Sequence, residues 1–378
     1  MGKRGNGEGS ITQLADGRYQ ARLYLVKADG TRTRKAFYGA TREEVAGKLN
    51  DALSNRGKGI PVAVDERQTV KTFLEGWLAA IKGNVRPKTY VGYEVYCRLH
   101  TIPEIGKVRM SKLTPQQLQA LYSKKFSEGL SSTTLNHLHA MIHRALDQAV
   151  RWGVVARNVA DLVDPPRPRR LEMKTLSPDQ ARTFLEAAAG DRLEALYILA
   201  ITTGMRQGEL LGLRWRDVDL DDAVLRVTGT MQRISKQGIG VSEPKTAGSR
   251  RQIALTTMAV AALKRRHKEQ SEERLAAGPE WQDSDLVFGN KYGRPIESTN
   301  LIRRSFKPLL KAAGLPALRF HDLRHTAATL LLRKKVPVKI VSEMLGHSQV
   351  GITLNIYSHV LPDMQREAVG AMEAVLWG

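Results

Sequence analysis

The sequence predicts a multidomain, mainly α-helical protein that also contains small antiparallel sheets. Apolar residues recur at helical spacing between Thr69 and Trp152, and again after Leu176. A short N-terminal stretch instead alternates between apolar and polar residues, which is typical of strands. With 378 residues, 42% of them hydrophobic, the chain can bury the cores of two or three domains.

Residues 10–38 are expected to form a small β-sheet. Asp16-Gly17 and Asp29-Gly30 supply turns, and between them two sets of side chains alternate: Tyr19, Ala21, Leu23 and Leu25 against Gln20, Arg22, Tyr24 and Val26. Thr41 followed by Glu44 is a capping-box pattern, which opens a helix. This helix would cover one face of the sheet.

The other face of the sheet would carry Arg22, Arg32 and Arg34. Arg32 and Arg34 share one side of their strand, because side chains alternate with a period of two. A sheet of this kind can enter the major groove of DNA, as β-ribbon proteins do. A basic face that meets only solvent is the alternative.

Two linkers divide the chain. Residues 57–68 combine glycine, proline and mixed polar residues, and residues 164–170 read Asp-Pro-Pro-Arg-Pro-Arg-Arg. Arg167, Arg169 and Arg170 suit a strap that follows a DNA backbone. The predicted organisation is an α+β domain at 1–57, a linker at 58–68, a helical domain at 69–152, a linker at 153–175 and a mostly helical domain at 176–378.

The last domain is expected to open with a helix, because Ser177 suits an N-cap and Pro178 the first helical position. Helical patterns dominate from there on. The exceptions are Val224–Val227 and residues 251–255, which read as strands around a glycine-rich region.

Charge and composition narrow the class of protein. Lys and Arg number 59 against 38 Asp and Glu, so the net charge is +21, spread along the chain, and favours a nucleic acid partner. A ribosome-associated or merely soluble basic protein is the alternative. Cys97 is the single cysteine, which rules out a disulfide framework and suits a reducing cytoplasm. The apolar run at 195–205 is too short to span a membrane.

A first phosphate-binding candidate lies at Arg206. An apolar helix is interrupted at Gly204, and Arg206 then opens the next helix. The guanidinium fork and the free N–H groups of a helix start both suit phosphate oxygens. Glu209, one turn later, would orient Arg206. An ordinary Arg–Glu pair at i,i+3 is the alternative.

A second candidate is the pair of His321 and Arg324. Three residues apart on one helical face, the two side chains can converge on one anion. His321 and His325 have the i,i+4 spacing of a zinc pair, but the acid between them is misplaced for a His-Glu-x-x-His pattern, so we expect no metal site. His347 and Tyr357 follow downstream. Taken alone, Tyr357 is an ordinary amphipathic side chain.

Together, Arg206, the His321/Arg324 pair, His347 and Tyr357 resemble, in order and spacing, the catalytic signature of the tyrosine recombinase (phage integrase) family. The most specific parts are Thr-Gly-Met-Arg at 203–206 and His-x-x-Arg-His at 321–325. The resemblance spans the chain. It implies an arm-type DNA-binding domain, a helical core-binding domain and a mostly helical catalytic domain with the DNA breaking-rejoining fold.

The resemblance also implies an activity: site-specific recombination through a 3′-phosphotyrosine formed by Tyr357, without metal, ATP or another cofactor. Arg206 and Arg324 would hold the non-bridging phosphate oxygens. His321 and His347 would complete the hydrogen bonding and assist proton transfer.

A lysine on a β-hairpin is a further implied component, and Lys245 is the candidate general acid. A surface lysine in a mobile turn is the alternative, since Lys236 lies in the same region. The implied partners are double-stranded DNA with core-type and arm-type attachment sites, a homotetramer that exchanges strands through a Holliday junction, and an excisionase or DNA-bending host factor. The expected role is integration or excision of a phage or integrative plasmid, in the cytoplasm and at the nucleoid of a bacterial host.

An apolar stripe after Pro362 leaves two possibilities open. It consists of Met364, Ala368, Val369, Met372, Val375 and Leu376. The segment would pack on a neighbouring subunit or fold back on its own domain, and the family resemblance favours the neighbour.

Three rival functions remain at this point. A DNA-binding regulator would retain the fold without the reaction, and a type IB topoisomerase would share the nucleophile but relax supercoiled DNA without paired sites. The arm-like N-terminal domain disfavours the topoisomerase. A metal-dependent nuclease is the third rival, and it would lose activity in EDTA.

Overall fold

The computed structural model describes residues 10–26, 32–57, 67–168, 173–234, 238–242, 250–347, 349–357, 369–370 and 372–377. It divides the chain into two compact units, Met1–Arg170 and Leu171–Gly378. The described part is mainly helical with small antiparallel sheets, as the sequence predicts. Within it, we find no helix with both the length and the apolar character that a bilayer span requires.

The first unit begins with a three-stranded antiparallel sheet in the order β1 (Ser10–Gln13), β2 (Tyr19–Val26) and β3 (Arg32–Gly39). Helix α1 (Arg42–Gly57) covers one face. Ala21 and Leu23 of β2 are buried with Val45 and Leu49 of α1. The predicted alternation is therefore confirmed at the buried positions.

The predicted cap at the start of α1 is also present. The Glu44 N–H donates to Thr41 Oγ1 over 3.2 Å. The Glu44 carboxylate accepts from the Ala40 N–H rather than from Thr41 itself. These bonds satisfy donors that the first helical turn leaves open.

Residues 67–168 form a helical bundle with a separate core. Thr69, Thr114 and Ser131 cap its longer helices through their hydroxyl groups. Its helices are α2 (Val70–Ile81), α3 (Pro87–Tyr96), a π-helical turn (Cys97–Thr101), α4 (Ile102–Ile105), a 3₁₀ turn (Met110–Lys112), α5 (Pro115–Ser127), α6 (Ser132–Arg151) and a 3₁₀ turn (Val159–Leu162). Trp77, Leu118 and Leu138 lie at the centre of the core.

The helical bundle extends beyond the boundary predicted at Trp152. Ala160 and Val163 are buried in its core, and Asn158 caps the last 3₁₀ turn. The Asn158 side chain also donates to Asp147 Oδ1 over 2.7 Å. The linker predicted at 153–175 is therefore shorter at its N-terminal end, because this segment adds apolar side chains to the bundle. The three-domain division as a whole remains a prediction.

The second unit is built around a largely helical core. Its helices are α7 (Pro178–Ala187), α8 (Glu194–Thr203), α9 (Gln207–Leu211), a 3₁₀ turn (Trp215–Asp217), α10 (Thr257–Ala277), a 3₁₀ turn (Gly278–Glu280), α11 (Ser298–Leu301), a π-helical turn (Ile302–Phe306), α12 (Lys307–Ala312), α13 (Phe320–Arg333), α14 (Val338–Leu345) and α15 (Val350–Tyr357). Ser177 and Pro178 open α7 as predicted. Helix α8 is buried almost all round, which explains its continuous apolar sequence.

Two small antiparallel sheets flank this helical core. One contains β4 (Val218–Asp219), β5 (Val224–Val227) and β8 (Arg251–Ala254) in that order, and the other pairs β6 (Thr230–Ile234) with β7 (Gly238–Ser242). The register places Val227 opposite Arg251. Both predicted strands are therefore present, and Arg251 is fixed at the start of β8.

Candidate functional site

Arg206 is presented at a break between two helices. Helix α8 ends at Gly204, whose φ of 63° is left-handed, and Arg206 is the residue just before α9. The Arg206 N–H donates to Glu209 Oε2 over 3.0 Å, and Arg206 Nη1 donates to Glu209 Oε1 over 2.7 Å. Glu209 thus binds both the backbone and the side chain of Arg206.

Arg324 reaches the same break from α13. Its side chain is buried, and Nη1 donates to the carbonyl oxygen of Gly204 over 2.8 Å. A Cβ atom on Gly204 would lie 2.5 Å from Leu345 Cδ2 and 3.4 Å from Ala327 Cβ. A glycine at this position lets α8, α13 and α14 pack closely, which brings the two arginines together.

His321 lies in the first turn of α13. Asp322 stabilises this turn, because its carboxylate accepts from the backbone N–H and the guanidinium of Arg319. The rings of His321 and His325 meet edge to face, with centroids 4.9 Å apart. Partial removal of water, together with the neighbouring His325 ring and the positive charge of Arg324, lowers the pKa of His321 to about 4. Its imidazole is therefore neutral near pH 7.

His347 follows α14, which ends at Gly346 in the left-handed conformation. His347 Nδ1 shares a 2.8 Å hydrogen bond with Oγ1 of Thr353, a buried residue of α15. Partial burial, followed by the charges of Arg324, Arg206 and Arg251, lowers the pKa of His347 to about 4. His347 is thus a neutral imidazole facing the same arginines as His321.

Two predicted components lie partly or wholly outside the described residues. Tyr357 is the last residue of α15, and its backbone is helical, but its side chain lies outside the description. Lys245 falls in residues 243–249, which are also outside it and connect β7 to β8. The general-acid and nucleophile assignments therefore remain predictions.

Arg251 is a component of the site that sequence reasoning missed. Its guanidinium is buried and donates to both oxygens of Glu209, over 2.9 Å from Nη2 and 3.4 Å from Nη1. Its Nε donates to the Met344 carbonyl over 2.6 Å. The only sequence signal is a basic residue opening a predicted strand, which does not set Arg251 apart from its neighbour Arg250.

Glu209 is consequently shared between two arginines. Burial alone would raise the pKa of its carboxyl, but the hydrogen bonds and charges of Arg251 and Arg206 outweigh burial and lower the pKa. Glu209 therefore stays ionised, as a structural anion between the two guanidinium groups. Arg206 Nη2 additionally donates to the Gly346 carbonyl over 3.1 Å.

The outer face of the N-terminal sheet carries a polar and aromatic surface. Arg22 Nε donates to Gln20 Oε1, and Gln20 Nε2 donates to Tyr38 Oη. Tyr24 is 62% exposed and lies opposite Arg34, which is also exposed. The side chain of Arg32 lies outside the description. Two of the three predicted basic side chains therefore face away from α1.

Of the three arginines in the predicted strap, Arg167 lies within the described residues, and it is exposed. The Asn136 side chain donates to the Pro166 carbonyl over 2.7 Å, which ties this part of the strap to α6. Arg169 and Arg170 fall outside the described residues.

One group of potential metal ligands lies in the described helical bundle of the first unit. His143 approaches Asp147 at 3.2 Å and Asp161 at 2.7 Å, one carboxylate at each ring nitrogen. Both ring nitrogens of His143 thus meet a carboxylate oxygen, and the contact with Asp161 links α6 to the following 3₁₀ turn.

Comparison with known proteins identifies the family. Residues 174–364 match the model described as "Phage integrase family", and residues 69–126 match "Phage integrase, N-terminal SAM-like domain". A tyrosine recombinase XerC-like protein of Caldanaerobacter subterraneus subsp. tengcongensis is 34% identical, with 90% of this chain and 92% of the relative covered. An integrase of Streptomyces ambofaciens is 31% identical, with 90% and 89% covered.

Solved structures share the fold. The Tn1549 transposon integrase in complex with a circular intermediate DNA has a TM-score of 0.68 at 24% identity, covering 79% of this chain and 99% of that one. The lambda integrase tetramer bound to a Holliday junction has a TM-score of 0.55 at 18% identity, covering 90% and 95%. The resemblance inferred from the arginine and histidine motifs is confirmed. The chain belongs to the phage integrase family and is a tyrosine-type site-specific DNA recombinase.

Proposed function

We propose that Arg206, Arg324, His321 and His347 bind one scissile phosphate of DNA, and that Tyr357 attacks it. The observation that carries this proposal is the hydrogen bond from Arg324 to the Gly204 carbonyl. Gly204 lies two residues before Arg206, so this bond holds the Arg324 guanidinium beside the backbone that carries Arg206. Both imidazoles face these charges and are neutral near pH 7. A neutral imidazole has one hydrogen-bond donor and one acceptor. It can therefore donate to a phosphate oxygen or accept a proton that is transferred during the reaction.

In this mechanism the Tyr357 phenol gives its proton to the neutral imidazole of His321. A bond forms between Tyr357 Oη and phosphorus while the bond from phosphorus to the 5′ oxygen breaks. The two guanidinium groups stabilise the charge that develops on the non-bridging oxygens. Lys245 protonates the departing 5′ oxygen. Because the phosphotyrosyl ester conserves the energy of the phosphodiester, a 5′-hydroxyl can reverse the step and join a new strand without ATP.

Helix α15 supplies the connection between His347 and the nucleophile. Thr353, which binds His347 Nδ1, and Tyr357 are four residues apart in this helix. Positions separated by four residues lie on the same helical face. In the tautomer with a proton on Nε2, His347 accepts at Nδ1 from the Thr353 hydroxyl and presents Nε2–H to the phosphate. The same hydrogen bond thus orients the histidine and anchors the helix that ends at Tyr357.

The DNA is engaged by more than the catalytic unit in our proposal. The outer face of the N-terminal sheet, with Arg22, Tyr24 and Arg34, reads arm-type sites, and Arg32 is a further candidate for this contact. Arg167, Arg169 and Arg170 follow the backbone near the core-type site. Exposed guanidinium groups can donate hydrogen bonds to phosphates and to base edges in the grooves of DNA, and an aromatic side chain beside them can add apolar contacts.

For the assembly, we propose four protomers on two DNA sites. Val369, Met372, Val375 and Leu376 are all exposed, as is Trp377. Contiguous exposed apolar side chains in a helical segment favour packing on a neighbouring protomer over a self-folded arrangement. An excisionase or DNA-bending host factor would determine whether the reaction integrates or excises DNA. The DNA moved would be a phage or an integrative plasmid. The reaction would take place in the bacterial cytoplasm, at the nucleoid.

The test is a suicide DNA substrate with a nick that traps the cleaved strand. Wild-type protein is expected to form an adduct stable in SDS, with the label mapped to Tyr357, and Tyr357→Phe is expected to form none. Failure of the wild type to form any adduct would contradict the proposal and favour a non-catalytic DNA-binding protein. Adduct formation that persists in EDTA would disfavour a metal-dependent nuclease. Adduct formation that depends on a specific DNA site would disfavour a topoisomerase.

A further inference from the structure

Arg251 links three parts of the catalytic unit that are distant in sequence. It opens β8, and it donates to the carboxylate of Glu209 in α9 and to the carbonyl of Met344 at the end of α14. Its side chain is 7% exposed, and that of Glu209 is 5% exposed. The two Nη donors of Arg251 bind Glu209 and its Nε binds Met344, and together these hydrogen bonds fix the orientation of the guanidinium.

The guanidinium of Arg251 also lies directly against the turn that carries His347. A Cβ atom on Gly346 would be 2.8 Å from Arg251 Nη1 and 3.1 Å from Arg251 Cζ. The φ of Gly346 is +68°, which other residues rarely adopt. Glycine at 346 therefore makes the close approach of Arg251 possible.

Arg206 contacts the same two elements. It binds Glu209 with its side chain and backbone, and it donates to the Gly346 carbonyl. Arg251 and Arg206 thus each connect Glu209 of α9 to the turn at 344–346 by hydrogen bonds. Only Arg206 is among the residues to which the family signature assigns a phosphate.

We propose that Arg251 is a positioning residue, which orients Glu209 and the 344–346 turn so that Arg206 and His347 meet the scissile phosphate together. The inference rests on the proposed active site. Arg251 acts through Glu209 and Met344, and it takes no part in bond making. Lysine at 251 would retain the charge but lose the fork that binds two partners at once.

The chain offers a matched control in Arg266. Its side chain is 1% exposed, it donates from Nη1 and Nη2 to both oxygens of Glu273, and its Nε donates to the Val287 carbonyl. Arg192 shares Glu273 in the same way that Arg206 shares Glu209. Arg266→Lys therefore damages an equivalent buried cluster that contains none of the proposed site residues.

The experiment measures single-turnover adduct formation on a suicide substrate at saturating protein, with the dissociation constant for DNA determined separately. For Arg251→Lys we expect a cleavage rate roughly tenfold to a hundredfold lower, with affinity within about twofold of wild type, as for a misplaced catalytic group. Arg266→Lys should cleave at the wild-type rate. A wild-type rate in Arg251→Lys, or an equal loss in Arg266→Lys, would overturn the inference.

A second pair of variants covers the case in which Arg251→Lys does not fold. Gly346→Ala forces a Cβ atom against the guanidinium and should lower the cleavage rate, whereas Gly314→Ala has a similar φ of +64° and no atom within 4 Å of the new Cβ. Equal rates for these two variants would count against a role for Arg251. If wild-type protein forms no adduct, the proposed active site fails instead, so the two failures are distinguishable.

Discussion

Arg324 in α13 donates a hydrogen bond to the carbonyl oxygen of Gly204, two residues before Arg206. The two proposed phosphate ligands are therefore linked through the short backbone segment from Gly204 to Arg206, although 118 positions of sequence separate them. Their spacing depends on the left-handed turn at Gly204 and on the close packing that this turn allows.

Replacing Gly204 with alanine should test that dependence. The new Cβ atom would lie 2.5 Å from Leu345 Cδ2, and the φ of +63° is unfavourable for alanine. We expect strain and overpacking to lower the free energy of unfolding by about 2–4 kcal/mol, measured by urea denaturation. Gly190→Ala has a φ of +74° without neighbours within 4 Å and should cost only about 1 kcal/mol. Equal losses would argue against a packing role for Gly204.

Thr353→Val should weaken strand cleavage. Valine preserves the shape of the buried side chain but leaves His347 Nδ1 without the hydroxyl that binds it over 2.8 Å. We expect a cleavage rate about tenfold lower, which corresponds to the loss of one hydrogen bond in the transition state. Thr353→Ser retains the hydroxyl and should cleave near the wild-type rate. The expectation fails if valine and serine variants form the adduct equally fast.

The two site histidines should make stability dependent on pH. Unfolded histidine takes up a proton near pH 6.5, whereas His321 and His347 in the folded protein do so at about pH 4. Because the unfolded state binds more protons between these values, the free energy of unfolding should fall as the pH drops from about 6.5 to about 4. Urea denaturation at several pH values should show this slope. The double variant His321→Asn/His347→Asn should show a smaller one, and an unchanged slope would contradict the assignment.

The N-terminal sheet should contribute to the binding of arm-type DNA and not to the binding of core-type DNA. Removing Arg34 and Tyr24 by alanine substitution eliminates an exposed cation and an exposed ring on the outer face. Affinity for arm-type DNA should fall, and the slope of log K against log salt should decrease by about 1 for each phosphate that the protein no longer neutralises. Arg42→Ala, in α1 on the opposite side of the sheet, serves as the control. Equal effects of Arg42→Ala would rule out a specific role for the outer face.

The C-terminal apolar residues should govern assembly. Val375 is 81% exposed and Leu376 is 60% exposed, so aspartate at both positions should leave the fold of one protomer intact. Charges at a buried interface are costly, and we therefore expect loss of the tetramer on paired DNA sites. Light scattering of the DNA complexes measures the change, with Glu373→Ala as the control. Tetramers of normal stability in the double aspartate variant would refute this role.

Much of the architecture could be predicted because local patterns determine it. Ala21 and Leu23 lie on the buried face of β2 because an alternating sequence can bury only one side of a strand. Ser177 opens α7 because its hydroxyl satisfies a backbone donor that the helix leaves open. Residues 153–163 resemble a linker in sequence because so short a stretch shows no period, although its apolar side chains fill the bundle.

The site could be predicted only where its chemistry is concentrated in short motifs. Arg206 with Glu209, and His321 with Arg324, lie one helical turn apart and can be recognised from spacing. Arg251 meets Glu209 across 42 positions and Met344 across 93, and no local pattern reports such contacts. Thr353 was missed for a related reason, since a threonine in a helix is ordinary until its histidine partner is known.

The arrangement around Glu209 has a thermodynamic consequence. Arg206 and Arg251 bind this carboxylate, and Arg324 binds the nearby Gly204 carbonyl, so three guanidinium groups and one carboxylate leave two positive charges while the histidines are neutral. Like charges held together weaken the folded state until an anion joins them. A phosphate that binds only the folded protein therefore raises the free energy of unfolding, and this stabilisation grows with the phosphate concentration. DNA would then stabilise the same unit that cuts it.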